Sequence, residues 1–403
     1  MPNHPTKDSI RLMDGRWYQD EPFEDYAWMR ENAPLYFDEV GGVWGVSRHA
    51  DIMHLSKTPS LFCSGKSSRP DPNSWIPSMI NFDDPQHKRR RNLVNRGFTP
   101  RRVSDHAGSI RKICTELIDT VCEKGSCEFV REIAAPLPMA IIGDMLGVAA
   151  EDRDRLLQWS DDMVTASGNE DPVAAQRAMQ SGLEWREYAA EVVRDRRNRP
   201  MRDDLISILC HSEIDGERLD DEEIIQESLL ILVGGDETTR HVIVQGMEAL
   251  VRHPAQRRLL IDDPSKITLA VEEMLRWVSP IKNMNRTATQ DTEFAGEKIS
   301  EGDRLLLLYQ SGNFDSAVFD APDEFRVERD PNNHVAFGGY GTHFCLGASL
   351  ARLELEIMFQ ELLARLPDLA IEPDAELPRR CNNFIVGIEH MPVTFTPSPK
   401  VAA

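Results

Sequence analysis

The sequence is short of positive charge, of paired cysteines and of long apolar runs, and each shortage excludes something. Lys and Arg number 46 against 67 Asp and Glu, a formal charge of −21 over 403 residues. A chain of that sign repels nucleic acid and anionic membrane in bulk. Its apolar runs, such as Leu229–Val233 and Leu305–Leu308, are far too short to span a bilayer. Met1 to Asp8 hold no apolar stretch, so neither a secretory signal nor a membrane anchor is expected there. The cysteines number 7, an odd count with no CxxC pair. That argues against a disulfide framework and a zinc ribbon, and fits a reducing cytoplasm. No repeat, linker or low-complexity segment interrupts residues 1–403, which favours a single domain.

What is present reads as mainly α with small β-sheets. Residues 1 to 30 have little periodicity and read as extended chain, with Trp17, Tyr18, Phe23, Tyr26 and Trp28 to pack onto a larger body. Asp38 to Val46 reads as a hairpin turning at Gly41-Gly42. From Asp105 helix follows helix, with Ala166 to Asp171 a small polar link that could let a helix pair cover a pocket. A longer pattern runs from Asp220 to Arg252, acid-loaded at its start as the helix dipole prefers. It is long enough to be the fold's central beam. Phe294–Ile299 and Arg304–Tyr309 are the best strands.

Four stretches carry chemistry. Ala336 to Gly347 places a lone Cys345 on a glycine-rich loop opening into a helix, where orphan amides and the dipole favour a thiolate. Glycines there permit close approach to something large and flat. Gly234-Gly235-Asp236-Glu237-Thr238-Thr239 interrupts the long helix with two glycines, each unfavourable by about 1 kcal/mol. They suit either helix packing or a flat ligand, with an acid and an alcohol at the rim of a groove. His87 and Arg91 share one helix face within a basic run, Lys88 to Arg102, against the acidic average. Glu273 and Arg276 are three apart, which alone means little.

In this order and at these separations the four resemble the cytochrome P450 family. The resemblance covers essentially the whole chain and implies a haem b ligated by the Cys345 thiolate. His87, Arg91, Arg286 and His343 would neutralise its propionates, with Gly234, Gly235, Phe337 and Gly347 also lying against it. Glu237 and Thr238 would deliver protons during dioxygen activation, and Glu273, Arg276 and Arg329 would form a structural triad. The loop departs from the family in one respect: Gly338 stands seven residues before the cysteine, where phenylalanine is usual. Phe337 shifted by one, or Tyr340, would then pack near the sulfur.

The implied activity is a monooxygenase using dioxygen and two electrons, ultimately from NAD(P)H through ferredoxin reductase and ferredoxin. The basic run is a candidate docking face for that acidic donor. Stretches around Ser78–Pro85 and Gly97–Pro100 are similar to steroid side-chain terminal hydroxylases, implying a sterol such as cholesterol or cholest-4-en-3-one, oxidised at its terminal methyl and onward to the acid. The pocket candidates are Trp75, Ile76, Met79, Ile80, Ile231, Val233, Ile281, Met284, Phe384 and Ile385. A terpenoid, fatty acid or macrolide is the alternative substrate class. A haem sensor or electron carrier is the rival function, disfavoured because a carrier has no use for the Glu237/Thr238 pair.

Overall fold

Asp220 opens the longest element. Its carboxylate accepts from the Glu223 N–H at 2.8 Å while the Glu223 side chain accepts from the Asp220 N–H at 2.9 Å, closing a capping box. The computed structural model describes residues 4–72, 75–166, 171–214 and 216–401. In it this helix runs Asp221–Arg252, 32 residues and so about 48 Å. From Thr239 to Leu250 every residue is buried, as expected of a helix surrounded on all sides. Around it pack helices Pro136–Leu146, Arg153–Thr165, Pro172–Arg197, Ile267–Val278 and Ala348–Arg365.

Local chemistry sets the ends of these helices. Asp171 caps Pro172–Arg197 by accepting from the Val173 N–H at 2.9 Å. Gly147, at φ 78°, ends Pro136–Leu146 in the left-handed conformation. Residues 167–170 of the polar link lie outside the described residues.

The sheets are small. The largest has five strands in the order Leu35–Asp38, Val43–Val46, Arg304–Leu308, Asn283–Ala288, Phe62–Cys63. Arg304–Leu308 is its middle strand, parallel to one neighbour and antiparallel to the other. Leu305 to Leu308 are wholly buried, so the strand is apolar without alternation. Phe294–Ile299, expected as one strand, is instead a hairpin of Thr292–Phe294 and Glu297–Ile299. Ala295 and Gly296 take φ 50° and 85° at its tip. The N-terminal stretch is not extended either. Asp14 caps a helix at Gly15–Gln19 and a second follows at Phe23–Asn32. Their rings are the anchors that the sequence implies: Trp17, Tyr18 and Tyr26 share a buried cluster with Leu306 and Leu308.

A buried ion triad fixes the irregular run that leads to the cysteine loop. Glu273 receives Arg276 twice at 2.8 Å and Arg329 at 3.0 Å. Arg276 spends its remaining donors on the carbonyls of Asn313 and Pro322, and Arg329 on those of Asp320 and Glu324. Buried guanidinium groups satisfied this fully pin loop backbone that no sheet or helix holds. Among the described residues no helix is long and apolar enough to cross a membrane.

Candidate active site

Between the central helix and the cysteine loop lies a cavity lined by His87, Arg91, Gly234, Gly235, Thr238, Arg286, Phe337, His343, Cys345 and Gly347 among others. Ten residues scattered over 260 positions thus meet in one place. Cys345 is exposed, but into this cavity. Protein crowds it: burial pushes its thiol up, opposed by the amides of Gly347 and Ala348 and by the charges of Arg91 and Arg352. Its own N–H donates to the Phe337 carbonyl at 3.0 Å, closing the loop.

The glycines divide into two kinds. Gly234 and Gly347 have open space where a Cβ would stand. Gly235 has none, because the Ile142 side chain of Pro136–Leu146 fills it. Gly339 and Gly341 press on Ser56 of helix His49–Lys57. Close approach is therefore real, but at three of these five positions the thing approached is protein and not a flat ligand. Gly338 and Tyr340 take φ 95° and 56°, which lets the longer loop double back. Phe337 lines the cavity with the Arg352 guanidinium 4.7 Å from its ring centroid. Tyr340 is 45% exposed and stacks outside on Phe344 at 5.0 Å. Of the two candidate rings, Phe337 and not Tyr340 lines the cavity with Cys345.

Four basic side chains converge at one edge. The His87 and His343 rings are 4.1 Å apart. Arg91 donates to the carbonyls of Thr342 and Phe344, and Arg286 to that of Asn285 at 2.7 Å. Burial, helped by Arg286, His87 and Arg91, pushes His343 down to about 2. His87 faces Asp84 at 3.2 Å. Among the described residues Arg91, Arg286 and His343 have no carboxylate partner. The rest of the basic run splits: Arg90 turns inward to Glu223 and Glu227, while Lys88, Arg89, Arg96 and Arg101 are exposed.

Thr238 faces the cavity and donates to the Gly234 carbonyl at 2.9 Å. Glu237 does not share that rim. It is wholly buried behind the helix, 2.7 Å from both Arg240 and Arg380, whose charges outweigh desolvation and hold its carboxyl well below the usual range. Asp161, from helix Arg153–Thr165, meets the same two arginines at 2.9 and 3.1 Å and is pushed up to about 6 by burial. While it holds these arginines, which it shares with Asp161, Glu237 does not line the cavity.

Of the apolar candidates, Met79, Ile80, Ile231, Ile281 and Met284 line the cavity. Trp75, Ile76, Val233, Phe384 and Ile385 do not. Val233, Phe384 and Ile385 close with Val164 into a buried cluster that Ile281 and Met284 flank, because apolar chains at a pocket's end pack on one another. Trp75 is 42% exposed, its indole N–H on the Gly65 carbonyl at 3.2 Å. Besides Asp161, two further acids at the site carry no motif in the sequence. Glu227 accepts the Met79 N–H at 2.9 Å, tying the cavity wall to the central helix. Glu354 lines the cavity, buried, with Oε2 unpartnered. Its spacing of four from Leu350 and Met358, on the helix's buried stripe, was the available signal.

Residues 267–390 match the family model for cytochrome P450. The chain is 49% identical over 400 residues to a steroid C26-monooxygenase of Mycolicibacterium smegmatis, covering 99% of each. It is 37% identical to a methyl-branched lipid omega-hydroxylase of Mycobacterium tuberculosis, covering 94% of this chain and 93% of that one. Among solved structures, a Mycobacterium marinum cytochrome P450 in complex with pseudoionone superposes with a TM-score of 0.88 at 32% identity, over 98% of this chain and 100% of the other. A Bacillus megaterium enzyme in complex with testosterone gives 0.87 at 32%, over 94% and 98%. Fold, cavity and kinship agree: the chain belongs to the cytochrome P450 family and is a haem-thiolate monooxygenase.

Proposed function

We propose that this enzyme hydroxylates the terminal methyl of a sterol side chain, of cholesterol or cholest-4-en-3-one, and carries it onward to the carboxylic acid. The observation that carries the substrate is the 49% identity, over nearly the whole chain, to a steroid C26-monooxygenase. The cavity supports it, since Met79, Ile80, Ile231, Ile281 and Met284 offer a bulky lipid apolar contacts and no charge.

The residues present fit a haem. Cys345 offers a thiolate on one side, Gly234 on the other bears no Cβ, and the edge between collects four bases, of which Arg91, Arg286 and His343 lack carboxylate partners among the described residues and suit two propionates. Haem bound there through Cys345 would supply electron transfer to dioxygen and oxidation of the C–H bond. The chain's own contributions are three. His87, Arg91, Arg286 and His343 hold the cofactor's acids. Thr238, on the cavity rim, passes a proton to whatever oxygen stands beside it. Glu237 replenishes that proton by exchanging the arginines for Thr238 or a water, a transfer that needs hydrogen-bond reach. Each turnover consumes two protons and two electrons, places one oxygen atom in the C–H bond and releases the other as water. The electrons come from a ferredoxin served by a reductase.

The purified protein is expected to be red, with a thiolate-type red shift in its reduced, carbonyl-bound spectrum. Cholest-4-en-3-one should move the ferric enzyme from low to high spin at micromolar concentration. A colourless protein would remove the haem reading, and an unmoved spin state the sterol.

A further inference from the structure

Arg69 is the side chain whose presence this function leaves unexplained. It sits at the head of the loop that runs to Met79, directly after Ser68, which lines the cavity. The strand bearing Met284 is stitched to this point, since Asn285 donates its N–H to the Ser68 carbonyl at 2.8 Å. The Arg69 guanidinium lies 5.1 Å from the centroid of the Phe384 ring. That ring belongs to the Val164, Val233, Ile385 cluster, flanked by Met163, Leu229, Ile281 and Met284. Ile281 and Met284 continue as cavity wall. A cation therefore stands over an apolar surface continuous with the substrate space.

Nothing answers its charge. Among the described residues the guanidinium has neither a hydrogen bond nor an ion pair, and burial alone pushes its pKa down, with no carboxylate to oppose it. Arginine cannot shed its proton in a protein, and it carries five donors in a rigid fork. Arg69 is half-buried, so water still reaches the guanidinium, and the aromatic face offsets part of what burial removes. The cations that line the cavity, His87, Arg91, Arg286 and His343, are grouped at the cofactor edge. Arg69 is apart from them, on the segment that carries the apolar wall. A sterol oxidised at its side-chain end brings one oxygen, at its opposite end.

Resting on the proposed sterol reading, we propose that Arg69 is a specificity-determining residue that donates to the ketone or hydroxyl oxygen of the sterol's ring end. It would thereby fix which end of the lipid enters first. The donated bond replaces water that the guanidinium loses as the lipid slides past Phe384.

Spin-shift titration of the haem-loaded enzyme with cholest-4-en-3-one and its 3-deoxy analogue, cholest-4-ene, tests this. Wild type should bind the ketone about tenfold or more tightly than the hydrocarbon, the scale of a hydrogen bond from a charged donor. Arg69→Met keeps an apolar stem over Phe384 and should weaken only the ketone, bringing the ratio to about one. Arg69→Lys should restore part of it. An unchanged carbonyl-bound spectrum certifies that each variant is folded and loaded. A wild-type ratio near one, or equal loss for both ligands in Arg69→Met, overturns the proposal while leaving the sterol reading intact. No spin shift with either sterol overturns both.

Discussion

Gly234 and Gly235 are indistinguishable in sequence, and only packing separates them. A methyl on Gly234 enters open cavity; one on Gly235 must displace Ile142. Alanine favours a helix over glycine by about 1 kcal/mol, whereas overpacking a filled core costs about 1–3 kcal/mol. In the haem-free protein Gly234→Ala should therefore be as stable as wild type or more so, and Gly235→Ala should fall below Gly234→Ala by about 1–3 kcal/mol in urea unfolding. Equal midpoints would show that Ile142 yields freely. The same logic explains what was legible residue by residue. Cys345, His87, Arg91 and Thr238 could be placed because spacing on one helix or loop sets which way a side chain faces. Glu237 could not, because the partner that turns it away, Arg380, lies 143 positions along the chain.

At the scale of elements, the patterns with long periods were read well and the short ones less so. The 32-residue helix declared itself through its acid-loaded start and apolar length. The helices at Gly15–Gln19 and Phe23–Asn32 did not, since one is five residues long and neither presents a clean apolar stripe. Tertiary burial of Trp17 and Tyr26 makes them. A loop-to-helix contact was likewise invisible: the Met79 N–H on Glu227, which holds the cavity wall to the central helix. Burial, against the pull of Arg90, pushes the Glu227 carboxyl up to about 8. The native state thus binds a proton that the unfolded chain, with a carboxyl near 4.5, has lost. Stability contributed by this group is present below about pH 4.5 and declines as pH rises towards 8. Asp236 and Glu354, also pushed up by burial, act in the same direction. Glu227→Gln keeps an acceptor for Met79 and should flatten part of that decline. Glu227→Leu orphans the Met79 N–H and leaves Arg90 with Glu223 alone, costing about 1–3 kcal/mol, and should raise the sterol dissociation constant by loosening the wall. If Glu227→Leu bound sterol as wild type does, the tie would hold nothing that matters to the cavity.

For the whole molecule the governing quantity is the charge of −21, which should repel an acidic ferredoxin everywhere except at a basic patch. The exposed Lys88, Arg89, Arg96 and Arg101 form such a patch in sequence, and Arg91 ties their helix to the cysteine loop through the carbonyls of Thr342 and Phe344. An electron donor seated there would lie beside the loop that carries Cys345, and its approach would be steered by a local field opposite in sign to the bulk. Steering of that kind changes association rates by about 10–1000-fold and is screened by salt. The Debye length shortens from about 30 Å at low ionic strength to about 8 Å at physiological strength, so ferredoxin-driven turnover should fall across that range. Reversing Lys88 and Arg101 together to Glu should lower the low-salt rate about tenfold or more and flatten its salt dependence. Neither residue touches the cavity, so sterol spin-shift affinity and reduction by dithionite should be unchanged. Stopped-flow reduction by ferredoxin separates the steps: the loss must appear in the second-order rate and not in the first-order limit at saturating donor. A charge-reversed enzyme reduced as fast as wild type at low salt would move the docking face elsewhere, and with it the route by which electrons reach Cys345.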